Sequence, residues 1–320
     1  EADQLIPIYL RFVKGIIDSS DLPLNVSREI LQSSKITQNI KQTVTKRVLS
    51  MLEDMAADDV DAYQSFWNTF GQVLKEGIGE DFANKDRLVK LMRFSSTHDP
   101  KSEQTVSIQD YVSRMPESQK KIYYITADSF DAAQYSPHLE VFKKKGIEVL
   151  LMHEPIDEWL VSHLNQFEEK EFESIAKGDL SSLDGDEADQ EKKALEEKTK
   201  EFDSVLKQAK GILSDQVKDV QLSKRLTDSP SCLTVGENGM SNHLKRMLQD
   251  AGQQVPDDKP VLELNPEHSF VARLQTETSD DTFEKWVNFL YGQAVISESG
   301  QLSDPVTYIK SVNRLLEDMV

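Results

Sequence analysis

The chain has 320 residues, 38% of them hydrophobic and 29% charged, with 37 Lys plus Arg against 56 Asp plus Glu and a formal net charge of −19. That length predicts two or three domains, and that acidity argues against nucleic acid or an anionic membrane as a partner, since either surface would repel it. The lone cysteine, Cys232, excludes an intrachain disulfide and fits a reducing cytoplasm, while no apolar run approaches the roughly 18 residues of a membrane span and no signal peptide is expected.

Residues 5–17, LIPIYLRFVKGII, alternate irregularly and predict one or two strands. They lead into DLPLNVSREILQ (21–32), where Pro23 fixes its own φ and biases Leu22 toward extended geometry. Ser27 or Asn25 can cap a helix starting near Arg28. A cation in that first turn faces the positive end of the helix dipole, at a cost of a few tenths of a kcal/mol or more. Local stability therefore does not explain Arg28. It either pairs on the surface with Glu29 or Asp21, or it serves something anionic.

From Ile36 the pattern is helical. Ile36, Ile40, Val44, Val48, Met51, Leu52 and Met55 form one apolar stripe. A second helix carries Tyr63, Phe66, Trp67 and Phe70, and a third, near 85–94, carries Leu88, Leu91, Met92 and Phe94. Residues 36–104 thus read as a helical connector. Between 105 and 190 a small α/β unit is expected: strands KIYYIT (121–126) and IEVLLM (147–152), with helices SPHLEVFKKKG (136–146) and PIDEWLVSHL (155–164). The order predicts a βαβα unit with a parallel pair. Its first turn, TADSFD, is no glycine-rich phosphate cradle, so a dinucleotide or P-loop site is not expected. Glu158 beside Trp159 joins an acid to a large aromatic, which suits basic, partly unfolded chains; the alternative is a core tryptophan.

Residues 191–209 predict a charged linking helix. The segment 210–320 predicts an α+β domain, with strands in KDVQLSKRL, SCLTV and VLELN and helices near 240–251, 266–275, 281–297 and 305–319. In MSNHLKRML, the residues Met240, Leu244, Met247 and Leu248 share a helical face; methionines make adaptable apolar surfaces, although periodicity alone fits a buried helix equally. Trp286, Phe289, Leu290 and Ile296 line the penultimate helix. Val306, Ile309, Val312, Leu315, Leu316 and Met319 line the last, which Asp304 and Pro305 start. Two such helices from each of two chains would form an isologous four-helix bundle.

Catalytic and metal signatures are absent from the sequence. The six histidines show no metal-ligand spacing, Cys232 reads as a buried small hydrophobe rather than a nucleophile, EGIGED (76–81) reads as a turn, and neither G-x-S-x-G nor H-E-x-x-H occurs. The chain does not encode a complete active site.

The stretch YLRFVKGIIDSSDLPLNVSREILQ (9–32) closely resembles the middle-domain catalytic loop of the ninety-kilodalton heat-shock chaperones. KIYYITADSF, GIEVLLMHEPIDEW and SKRLTDSP are similar to the bacterial form, and the resemblance runs along almost the whole chain. It implies a multidomain α/β and α+β architecture: a middle-domain remainder at 1–190, with the catalytic-loop segment at 1–35, then the link at 191–209 and a dimerisation domain at 210–320. In that family a middle-domain arginine completes an ATP pocket on a separate N-terminal domain. The matching residue is Arg28, with Asn25 and Gln32 as polar residues of the same loop. A guanidinium suits phosphate oxygens, and a proline-stiffened junction limits reorganisation.

The resemblance further implies a cytoplasmic, stress-induced homodimer that remodels non-native client proteins, contacting them through the helix near 240–251. ATP and Mg belong to the full-length parent, and its own N-terminal ATPase domain and other chaperones are implied partners. With no counterpart of the nucleotide-binding domain in the sequence, and no metal expected, the chain alone is not expected to hydrolyse ATP. The competing reading is an acidic, non-enzymatic scaffold in which Arg28 only forms a salt bridge.

Overall fold

The computed structural model describes residues 5–16, 35–177, 180, 183, 188–236, 239–255, 258–302 and 304–317. Helices and small sheets alternate, and the chain forms two compact units that interleave along it. Unit 1 comprises Glu1–Ser95, Lys101–Arg114 and Glu154–Phe172; unit 2 comprises Ser96–Pro100, Met115–His153 and Glu173–Val320.

Unit 1 is built on α1 (Lys35–Asp58), α2 (Val60–Glu80) and α3 (Lys85–Leu91), with α4 (Ile108–Arg114) and α7 (Pro155–His163); elements are numbered in chain order. A short strand, β1 (Ser95–Ser96), follows α3. Asp59 separates the first two helices and caps α2, accepting from Ala62 N at 3.0 Å. The inward line of α2 runs Tyr63, Trp67, Leu74 and Ile78, the three-and-four spacing of a buried face. On α1 that line is Thr45, Leu49 and Leu52, whereas Met51, expected on the apolar stripe, faces solvent.

The strands expected at 5–17 do not form among the described residues of that segment. Pro7, at φ −60°, starts a 3₁₀ turn over Ile8–Leu10, which Leu10 N closes on Pro7 O at 3.0 Å. Tyr9 and Leu10 are fully buried. The Tyr9 ring lies against Gly77, where a Cβ would stand 2.8 Å from it, and its hydroxyl donates to Asp81 Oδ2 at 2.7 Å. Burial first, then that carboxylate, pushes the phenol far above its ordinary value. A hairpin of β4 (Gln166–Phe167) and β5 (Lys170–Ser174) turns through Glu168, at φ +53°.

In unit 2, β2 (Lys121–Thr126) pairs in parallel with β3 (Leu150–Met152), Tyr124 opposite Leu150, across α5 (Phe130–Gln134) and α6 (Glu140–Lys145). Gly146 ends α6 at φ +66°, after three lysines that suit the negative helix end. The expected parallel βαβ arrangement is therefore present, although α7 belongs to unit 1. Tyr123, Ile125, Phe142, Val149 and Leu151 fill the first core of this unit.

A second sheet orders β6 (Asp219–Leu222), β8 (Val261–Leu264) and β7 (Ser231–Thr234), parallel then antiparallel. Its core is closed by α9 (Asp203–Ile212), α11 (Ser269–Thr276), α12 (Asp280–Ser299) and α13 (Pro305–Glu317). The helix α8 (Ala188–Glu201) precedes this group, and α10 (Asn242–Asp250) lies between β7 and β8 in sequence. Cys232 is buried in β7, and burial pushes its thiol well above the ordinary range, as a packing residue requires.

One buried cation holds this region together. Arg225 donates through Nε to Glu263 at 3.0 Å and to the carbonyls of Ile175 (2.5 Å) and Lys177 (2.8 Å). Nearby, Glu140 on α6 accepts from the backbone N–H groups of Thr227, Asp228 and Ser229 at 2.6–3.0 Å. Burial raises its pKa, but these donors outweigh the effect and hold the carboxyl below its usual range.

Candidate client and assembly surfaces

Asn25, Arg28 and Gln32 lie outside the described residues, as does Met319. The other candidates fall on three helices, except Met240, which lies just before one of them.

The first surface is on α7. Its entry is fixed by Lys75, wholly buried in α2, whose ammonium reaches Glu154 Oε2 at 2.6 Å and Asp157 Oδ1 at 2.7 Å. The same ammonium donates to Gln104 Oε1 at 3.3 Å and sits 5.7 Å from the Trp67 ring and 5.2 Å from that of Phe94. Burial raises the Glu154 pKa, but the charge and hydrogen bond of Lys75, with a bond from Gln72, bring it below the usual range. One turn on, Trp159 is 45% exposed and its indole covers Gly79, where a Cβ would stand 2.6 Å from the ring. Glu158, by contrast, is only 6% exposed. The helix turns successive residues by about 100°, so the neighbour of an outward tryptophan points inward. The expected acid–aromatic pair is not a shared surface; Trp159 stands there without Glu158.

The second surface is α10. Ser241 caps it, accepting from Leu244 N at 3.0 Å; Leu244, Met247 and Leu248 lie on the helix, whereas Met240, expected on the same helical face, precedes the cap, and all four are half-buried. His243 and Arg246, on an adjacent face, both meet Asp128, in the turn that follows β2. Among the described residues, neither of these two apolar cores of unit 2 includes a side chain from α10.

The third is the helix pair α12–α13. Trp286, Leu290 and Leu315 are buried within the chain's own core and Phe289 packs against it. As candidates for contact with a second copy these four are accounted for internally, because Tyr308 on α13 lies over Gly292 and brings the two helices together. Val312 is half-buried, whereas Ile309 and Leu316 are 56% and 54% exposed, with Val306 also outward. The last helix therefore has two apolar stripes, one closing its own domain and one left uncovered.

Sequence reasoning did not find Lys75, Asp128 or Glu140. Each is a charged residue that meets a decisive partner 79 or more positions away, for Lys75 the carboxylates of Glu154 and Asp157, so no local pattern announces it.

Comparison with known proteins gives the family. The Hsp90 protein family model matches residues 1–320. The chain belongs to the Hsp90 family. Proteins named chaperone protein HtpG are similar to it: that of Coxiella burnetii strain RSA 331 is 52% identical over 318 residues, that of Paraburkholderia xenovorans 54% over 320, and that of Legionella pneumophila strain Paris 53% over 316. Each alignment covers 99% of this chain and 50% of the relative, so the chain spans about half the length of the Hsp90 relatives it matches. Among the described residues no helix is long and apolar enough to cross a membrane.

Proposed function

We propose that this chain acts within a homodimeric, ATP-driven chaperone of the cytoplasm that binds and remodels non-native proteins. In this reading 1–190 is the remainder of a middle domain, 191–209 a link and 210–320 the dimerisation domain. Arg28, with Asn25 and Gln32, completes an ATP–Mg site carried by an N-terminal domain. Clients contact Trp159 and the Met240–Leu248 face, and a second copy covers the outer stripe of α13. Other chaperones act as further partners.

The observation that carries the reading is α10, a short helix with a half-covered Met/Leu face and, among the described residues, no side chain in the two cores of its unit described above. Such a face is adaptable enough for varied apolar segments. Replacing Met240, Leu244, Met247 and Leu248 together with Ser and Asn tests it. Binding of a permanently unfolded, fluorescein-labelled protein should weaken while the melting temperature stays within a few degrees. A buried stripe would lose about 2–5 kcal/mol at each large-to-small site, and a collapse of the melting temperature would refute the assignment.

A further inference from the structure

The way α10 is attached suggests a moving part. A helix that closes a core is held by apolar side chains, and its removal exposes them to water. On α10 the apolar residues Leu244, Met247 and Leu248 are only half-buried, and the hydrogen bonds and ion pairs of the helix come from its polar side. A single carboxylate, Asp128, receives His243 through Nδ1 and Arg246 through Nη1, the latter at 2.5 Å. The two residues are three apart and so lie one above the other on the helix. Arg246 also donates to Ser299 O at 3.2 Å, and Lys245 to Asp258 O at 2.5 Å.

We propose that Asp128 is a latch on α10, so that the client-facing helix is a releasable arm whose position the turn after β2 controls. The inference rests on the reading of α10 as a client surface and adds how that surface is set.

Three features make the contact releasable. The Asp128 side chain is 39% exposed and that of Arg246 25%, so water and salt compete for the pair. The Nε2 atom of His243 is buried with no hydrogen-bond partner among the described residues, so the latched pose leaves that polar atom unsatisfied there. The helix also ends on its own residues. Gly252, at φ +73°, donates to Gln249 O at 2.9 Å and Gln253 N to Leu248 O at 2.9 Å, the double bond of a glycine-terminated helix. With the Ser241 cap at the other end, both limits of α10 carry local hydrogen bonds. Release would free the half-covered Met240, Leu244, Met247 and Leu248 for an apolar partner.

Hydrogen exchange read by mass spectrometry on Asp128→Ala tests the latch. Amides of residues 244–250 should exchange roughly tenfold faster, the effect of losing two partly exposed polar contacts, while those of α12 stay as in wild type. Affinity for the labelled unfolded protein should rise about threefold as more molecules present the free face. Unchanged exchange in α10 would overturn the proposal, because the helix would then be held by its apolar side. Faster exchange with unchanged affinity would keep the latch and remove the client reading of α10. Should α12 also loosen, Arg246→Gln, which breaks the contact from the helix side, decides the matter by the same comparison.

Discussion

Lys75→Met should be among the most damaging single changes in unit 1. The lysine is wholly buried, and its partners Glu154 and Asp157 have side chains only 17% and 2% exposed. Methionine keeps the length and apolar stem but removes the charge, leaving two carboxylates close together without their cation. Breaking a buried ion pair from one side costs about 3–5 kcal/mol, to which loss of the ammonium's contacts with Trp67 and Phe94 adds about 1 kcal/mol. The damage should centre on the packing of α7 against α2. Urea unfolding followed by tryptophan fluorescence measures it, and Trp159 supplies a local signal that should shift to the red. The double change Lys75→Met, Asp157→Leu should recover part of the loss, since it takes away one of the stranded acids. A loss below about 1 kcal/mol in the single variant would show that the site behaves as a solvated surface pair and would refute the argument.

Two further outcomes follow from the same physics. Because the folded-state pKa of Glu154 is depressed, its contribution to stability is present above its ordinary value of 4.5 and is lost as pH falls through the folded value; acid melts of the wild type should show this dependence, and Lys75→Met, which leaves the raising effect of burial without its main counterweight, should abolish or reverse it. Sedimentation equilibrium at micromolar concentration should find the wild-type chain as a dimer, and Ile309→Glu with Leu316→Glu should return it to a folded monomer, since each charge enters an isologous contact of roughly 1,200–2,000 Å² twice. Leu315→Glu should instead destabilise the chain itself; a wild-type monomer would leave the outer stripe of α13 without the role assigned to it.

The features legible in the sequence were those written in neighbouring residues. The lysine-rich end of α6 with Gly146 in the left-handed region, the proline start of α7 and the parallel pairing of β2 with β3 are all present. Tyr9 shows where local patterning failed. Its segment alternates like a strand, but Pro7 turns the chain and Gly77, 68 positions on by sequence number, offers the flat surface on which the ring lies. The last helix shows a different limit. Periodicity identifies its apolar residues yet cannot distinguish Leu315, which closes its own core, from Leu316, which faces out. Glu158 and Trp159 repeat the lesson: neighbours in sequence stand about 100° apart on a helix, and here one is buried while the other is exposed. Lys75, Asp128 and Arg225 were invisible because a charge is read as solvated until its distant partners are known.

The most direct test of the account joins this chain to the domain it is proposed to serve. A separately produced N-terminal nucleotide domain of an Hsp90 relative, mixed with the wild-type chain and ATP–Mg, should hydrolyse ATP faster than it does alone. Arg28→Ala should lower that stimulated rate by about 10²-fold or less, the scale of one lost charge-stabilising donor, with nucleotide affinity unchanged. A stimulated rate that Arg28→Ala leaves intact, or no stimulation by the wild-type chain, would contradict the proposed role and favour a non-enzymatic scaffold.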